Sequence, residues 1–275
     1  MRSTSARLLG IWLVFGAGVG SAGDRAAPHC IPVGHRGLMR DAPENTLVGF
    51  AACLELRVGF ELDVRRTRDG HLVCLHDADV KRTTDGRGKV AEMTLAELRR
   101  LDAGAWFDRA FAGTRVPTLD EVFALLRARS AGPVLVALDI KVDDPTIEAD
   151  IVGLAKKHGV LERVVCIGRA IDEPAVRRKL RAADPKTPVA VLATADSLAA
   201  ALKDADADWV YIRFIPSPEQ VAQVHRAGRR VFLSGGLVAG QEAENWQRAR
   251  TAGVDALLTD YPLQCRQIWR ASAPR

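Results

Sequence analysis

His35, Glu61, Asp63 and His76 fall within the first third of a 275-residue chain, each at the end of a short apolar run that reads as a β-strand. Side chains alternate faces along a strand, so Glu61 and Asp63 point the same way, and two like charges at one strand end need a cation between them. Carboxylates are the hard oxygen ligands that Mg²⁺ or Ca²⁺ prefers, and Asp139, near the end of the run Val134 to Ile140, supplies a third. Lys141, two residues on, faces the same pocket, where an ammonium balances the acids and neutralises substrate phosphate oxygens.

Gly34-His35-Arg36-Gly37 ends the first strand with an imidazole and a guanidinium between two glycines, which permits a tight turn and close ligand approach. His76 follows the run Leu72 to Leu75 and precedes Asp77. A single histidine is more often structural than catalytic; the pair beside an acidic cluster is what points to chemistry. Cleavage of a phosphodiester needs one group to deprotonate the nucleophile and another to protonate the departing alkoxide. Two imidazoles suit both tasks, while a cation and Arg36 stabilise charge on the non-bridging oxygens.

These groups must be positioned by the elements that carry them. Eight β-branched runs recur along the chain: Ile31 to Val33, Phe60 to Val64, Val134 to Ile140, Val164 to Ile167, Val189 to Leu192, Trp209 to Ile212, Arg230 to Leu233 and Ala256 to Thr259. Amphipathic stretches lie between most of them, among them 46–57, 119–129, 145–158, 173–183 and 218–227. Eight strand-helix repeats in one unbroken α/β domain predict a closed TIM (β/α)₈ barrel over residues 28–275, with a doubly wound open sheet as the runner-up. No Gly-x-Gly-x-x-Gly or Walker-type loop follows the first strand, which leaves the nucleotide-binding version without support. The interval 65–117 is too long for one strand-to-helix connection. Its Asp69-Gly70 turn and Leu72 to Leu75 predict an insertion after the second strand that carries a hairpin, and Thr94 with Glu97 predicts a capped helix.

Arg2 and Arg7, the apolar run Leu8 to Gly20 and the small residues Gly20-Ser21-Ala22 predict an export signal over residues 1–22, hence a secreted or periplasmic protein. That run is short against the ~20 residues of a spanning helix, so no stable membrane span is expected after cleavage. Removing it leaves 37 Lys+Arg against 34 Asp+Glu, a nearly neutral balance that implies no nucleic-acid partner. The five cysteines are scattered, with Cys53, Cys74 and Cys166 inside apolar runs and read as buried thiols. A Cys30 to Cys265 bridge is compatible with export, but the sequence does not decide it. Oligomeric state is likewise open.

His35-Arg36-Gly37, Pro43-Glu44-Asn45-Thr46, Glu61-Leu62-Asp63-Val64, Thr67 to Gly70, His76-Asp77, Arg82-Thr83-Thr84-Asp85-Gly86 and Thr259-Asp260-Tyr261-Pro262 together resemble the glycerophosphodiester phosphodiesterase family. The match is dense over residues 33–120 and returns at the C-terminal end. What the resemblance implies is a TIM-barrel hydrolase that uses a divalent cation to cleave small-molecule glycerophosphodiesters to glycerol 3-phosphate and an alcohol. By motif, Glu61 and Asp63 correspond to metal ligands, His35 and His76 to the acid/base pair and Arg36 to a phosphate contact, with Glu44 and Asn45 shaping the site.

Two positions depart from that pattern. Asp139 stands where the family usually has glutamate, a feature similar to sphingomyelinase D-type phospholipases, which lack the Pro-Glu-Asn-Thr string. Phe232-Leu233-Ser234-Gly235-Gly236 stands where the family usually has a Trp-Thr-Val-Asn strand end, so Trp106-Phe107 are candidates either for the missing aromatic wall or for packing of the insertion. The rival readings are a phospholipase D-like enzyme on lysophospholipids or sphingolipids, and a non-catalytic phosphoester-binding envelope protein. His71, His158 and His225 carry no assigned chemistry. Arg213 is read as a strand-end residue in reach of substrate or in a rim salt bridge, and Asp260 as fixing a loop.

Overall fold

The computed structural model describes residues 30–129 and 134–271. The export-signal expectation over residues 1–22 lies outside them. Nine strands occur in chain order: β1 (Ile31–Gly34), β2 (Gly59–Arg66), β3 (Leu72–Cys74), β4 (Val136–Ile140), β5 (Val164–Ile167), β6 (Ala190–Ala193), β7 (Trp209–Ile212), β8 (Arg230–Leu233) and β9 (Ala256–Thr259). Eight of them pair in parallel in the order β5-β4-β2-β1-β9-β8-β7-β6. A single parallel bridge between Cys166 and Val189 joins the two ends, so the sheet is a nearly closed TIM barrel with helices outside it.

The pattern of β2 shows why the sequence folds this way. Phe60, Leu62 and Val64 are fully buried in one core cluster with Phe50 and Phe123 of the flanking helices, and the Phe50 and Phe60 rings stack at 4.7 Å. Burial of each such side chain is worth about 1.5–3 kcal/mol. The odd positions, Glu61 and Asp63, therefore face away from the helix layer, toward the barrel axis. A one-residue slip would drive both carboxylates into the aromatic layer, so the apolar set fixes the register.

The helices Leu47–Glu55, Leu119–Arg129, Ile147–Lys157, Pro174–Ala183 and Pro218–Arg226 fall within the amphipathic stretches. The first starts one residue later than its stretch because Thr46 is its N-cap, extended and accepting from the Gly49 amide. Between β2 and β4 the chain turns at Asp69-Gly70 and returns as β3, antiparallel to β2. Glycine is required there because φ at Gly70 is 90°. The predicted capping box at Thr94 and Glu97 opens the short helix Leu95–Leu98. Val73, Leu75, Val80, Val90, Leu98, Ala103 and Val116 form a small core of their own beneath this segment. Trp106 is 40% exposed, its indole N–H donates to the Ala103 carbonyl and its ring meets Phe107 edge-on. It packs that segment and does not line the main cavity.

Cys53, Cys74 and Cys166 are buried as expected, and all five cysteines, Cys30 and Cys265 included, are free thiols. No described helix is long and apolar enough to cross a membrane.

Candidate active site

The carboxyl ends of the strands surround a cavity of about 340 Å³ lined by His35, Glu61, Asp139 and Lys141 among others. Asp63 and Asp139 are register partners on β2 and β4. Oxygens of Glu61, Asp63 and Asp139 all lie within 4.8 Å of one another. Glu61 and Asp63 are 2% and 1% exposed. Burial, reinforced by Asp63 and Asp139, holds the Glu61 carboxyl well above the ordinary glutamate range. Burial also raises Asp139, against the opposing pull of Lys141. Lys141 Nζ donates to Asp139 Oδ2 at 2.5 Å and stands 3.2 Å from Asp63 Oδ1. That second approach lacks hydrogen-bond alignment, and Asp63 Oδ1 is a buried oxygen with no donor. Burial pushes the Lys141 ammonium down, and the two aspartates outweigh it, leaving its pKa raised.

Three converging carboxylates with one ammonium and one undonated buried oxygen form an all-oxygen donor set that fits a hard divalent cation. The cluster is rigidly held. Beyond Phe60 the β2 edge has no β1 partner, because β1 ends at Gly34. Asn45 fills the gap: its Oδ1 accepts from the Asp63 amide at 3.0 Å and its Nδ2 donates to Asp63 Oδ2 at 2.8 Å. Arg36 and Asn45 both adopt left-handed backbone, φ 52° and 55°. Such a conformation is costly for arginine. It aims the Arg36 amide at Glu61 Oε2, 2.9 Å away.

The Arg36 guanidinium is engaged on the protein side, with Nη1 donating to Glu44 Oε1 at 2.9 Å and Nε 3.4 Å from Asp63 Oδ2. Glu44 also accepts from Arg82 through both oxygens. Burial alone would raise the Glu44 carboxyl; Arg82 and Arg36 outweigh it and hold it low. Glu44 and Asn45 thus contact other site residues and lie outside the lining of the main cavity.

His35 Nδ1 is 2.8 Å from Asp260 Oδ1, and His76 Nδ1 is 2.7 Å from Asp77 Oδ1. A carboxylate partner selects the Nδ1–H tautomer and leaves Nε2 for proton transfer. The two rings are not equivalent in position. His35 lines the main cavity, whereas His76 lines a second pocket of about 10 Å³ with Glu44 and Asn45. His76 is a third exposed.

The sequence model of the glycerophosphoryl diester phosphodiesterase family matches residues 35–264. The chain belongs to that family. A glycerophosphodiester phosphodiesterase of Caldanaerobacter subterraneus is 44% identical over 137 residues, which span 48% of this chain and about half, 55%, of that relative. One of Bacillus subtilis is 28% identical over 262 residues, 88% of this chain and 87% of the relative. The crystal structure of an Agrobacterium tumefaciens glycerophosphodiester phosphodiesterase shares the fold with a TM-score of 0.69 and 28% identity, over 85% of this chain and 97% of that one.

Several residues of this phosphodiesterase site escape a reading of sequence alone. Asp260 holds His35 across 225 positions; its signal is its place just after β9, the strand that pairs with β1. Asp77 accepts from Arg82 Nε at 2.7 Å, and the Arg82 pairing first, then His76, holds its carboxyl well below the usual range. Arg65 donates twice to the His76 carbonyl and once to that of Lys141. Nothing in its flanking residues marks that role. His158 and His225 pair with Asp120 and Asp255 outside this site.

Proposed function

We propose that the chain is a metal-dependent phosphodiesterase that hydrolyses glycerophosphodiesters to glycerol 3-phosphate and an alcohol. The observation that carries this reading is the three-carboxylate cluster at the mouth of the barrel, with His35 in the wall of the same cavity. Glu61, Asp63 and Asp139 are the residues to hold Mg²⁺ or Ca²⁺, and such a cation when bound polarises the phosphoryl group toward attack. Lys141 places a positive charge beside the non-bridging oxygens. His35, with Nδ1 committed to Asp260, and His76, with Nδ1 committed to Asp77, present Nε2 as acid and base. Arg36 is the phosphate contact nearest the cluster, held ready by Glu44. Asn45 keeps Asp63 from rotating out of the ligand set.

The names of the Caldanaerobacter and Bacillus relatives support this substrate class. The basic and apolar pattern of residues 1–22 supports an exported enzyme acting outside the cytoplasm. Purified protein incubated with glycerophosphocholine, with Mg²⁺ or Ca²⁺ and then with excess chelator, tests the reading by release of glycerol 3-phosphate. Release that stops on chelation and returns with metal supports it. Chelator-insensitive release, or none under any condition, contradicts it.

A further inference from the structure

The main cavity is asymmetric in charge. Its acidic residues are Glu61 and Asp139 of the cation cluster and Asp260, already bonded to His35. Lys141 is spent on Asp139. The remaining charged residues in the wall are Arg169, just after β5, and Arg213, just after β7. Both are exposed, and neither makes a side-chain hydrogen bond or ion pair within the described residues. This is unlike the other arginines at the barrel mouth: Arg36, Arg65 and Arg82 are all bonded.

Room for Arg213 is made by Gly235. A Cβ at that position would lie 3.2 Å from Arg213 Nε and 3.3 Å from its Cβ, and φ there is 101°. Around the two arginines the wall is small and partly apolar, with Leu192 on β6, the strand between theirs, and Tyr211, Ser234 and Leu258 on or after β7, β8 and β9. The Tyr211 hydroxyl is tied to Ser234 Oγ at 2.8 Å. Apart from the His35 imidazole, Tyr211 is the sole aromatic residue of the wall, and no uncommitted carboxylate is there to meet a quaternary ammonium.

We propose that this end of the cavity selects glycerophosphodiesters whose alcohol moiety carries its own anionic group, a carboxylate or a second phosphate, held by Arg169 and Arg213. The inference rests on the phosphodiesterase reading above and adds the substrate class to it. A planar guanidinium matches the paired oxygens of either anion. A cationic alcohol such as choline meets two like charges there and is disfavoured. The arginines touch the alcohol moiety and not the scissile phosphoryl group, so the selection acts on which diester is hydrolysed.

The test compares kcat/KM, at low ionic strength with Mg²⁺ present, for four glycerophosphodiesters: of 3-hydroxypropanoate, of glycerol phosphate, of 1-propanol and of choline. The expected order has both anionic alcohols at least about tenfold above the propyl ester, and choline below it, the size expected of charge-assisted pairing by two guanidinium groups. Raising salt to ~0.5 M shrinks the ratio, because exposed charges are screened. Arg213→Gln and Arg169→Gln each reduce the anionic-to-propyl ratio, and the double variant brings it to about one. Arg213→Lys restores part of it. Arg226→Gln, on a helix facing solvent, leaves the ratio unchanged. Preference for carboxylate but not phosphate, or the reverse, identifies which anion the pair accepts. Hydrolysis of all four diesters at similar rates, or an unchanged ratio in the double variant, overturns the inference and leaves the phosphodiesterase reading intact. Hydrolysis of none overturns both.

Discussion

Replacing Gly168 with alanine probes how tightly the position of Asp139 governs the site. Gly168 follows β5 with φ 87°, and a methyl group there would stand 2.3 Å from Oδ1, 2.5 Å from Cγ and 2.8 Å from Oδ2 of Asp139. These are its three nearest atoms, so the Asp139 carboxylate is the group that has to retreat, by about 1 Å. The left-handed backbone adds a cost of about 1–2 kcal/mol. At roughly 2–4 °C per kcal/mol for a domain of this size, Tm falls by ~2–8 °C. With the fold retained, a shift of ~1 Å in an active-site group lowers kcat/KM on the order of 100-fold. Disturbed ligand placement weakens the cation by ~10–100-fold. Calorimetric titration with Mg²⁺ or Ca²⁺, kcat/KM on a glycerophosphodiester and a thermal melt read the three effects separately. Gly153→Ala is the control: it lies in the helix Ile147–Lys157 with nothing within 4 Å of the new methyl group. It stabilises by up to ~1 kcal/mol and leaves metal binding alone. Wild-type metal affinity and kcat/KM in Gly168→Ala, alongside the lowered Tm, would refute the reasoning that Asp139 is a ligand whose position matters.

Three further outcomes follow from named contacts. Asp260→Asn removes the carboxylate that selects the His35 tautomer, so kcat falls by ~10²–10⁴ with KM little changed, and a KM-dominated effect contradicts the assignment. Arg65→Met frees the carbonyls of His76 and Lys141 and lowers kcat/KM by ~10–100-fold with far-ultraviolet circular dichroism retained; unchanged activity shows that His76 needs no such support. Glu44 has a lowered folded pKa, so its pairing stabilises the fold above the ordinary carboxyl value of about 4.3 and the contribution is lost as pH falls through the folded value. Glu44→Gln is therefore less stable than wild type by about 1–2 kcal/mol at pH 7, discounted because Arg82 is 44% exposed. Denaturant melts should show that gap closing below about pH 4; a gap that widens there contradicts the sign.

Strand positions are legible in the sequence because each is a short β-branched run between turn residues, and the two-residue period of β2 by itself puts Glu61 and Asp63 on one side. Asp139 is legible for the same reason, one strand over. The partners of those residues are not. Asp260 reaches His35 because closure of the barrel lays β9 beside β1, a pairing 225 positions apart that no local pattern announces. Arg65 and Arg82 act through carbonyls and carboxylates brought near by the segment between β2 and β4, whose path is set by its own small core. Arg213, which its strand-end position marks as either a rim salt bridge or a substrate contact, has no ionic partner among the described residues and lines the cavity. Glu44 and Asn45 are legible as site residues, but which side chains they brace depends on the left-handed turns at Arg36 and Asn45.

Diffraction from crystals soaked in Ca²⁺ or Mn²⁺, with anomalous differences measured, tests the central claim most directly. The account predicts one peak at the barrel mouth, coordinated by Glu61, Asp63 and Asp139 at about 2.0–2.6 Å, with the Nε2 atoms of His35 and His76 facing the space beside it. A peak coordinated elsewhere, or none at saturating metal in an active enzyme, would contradict it.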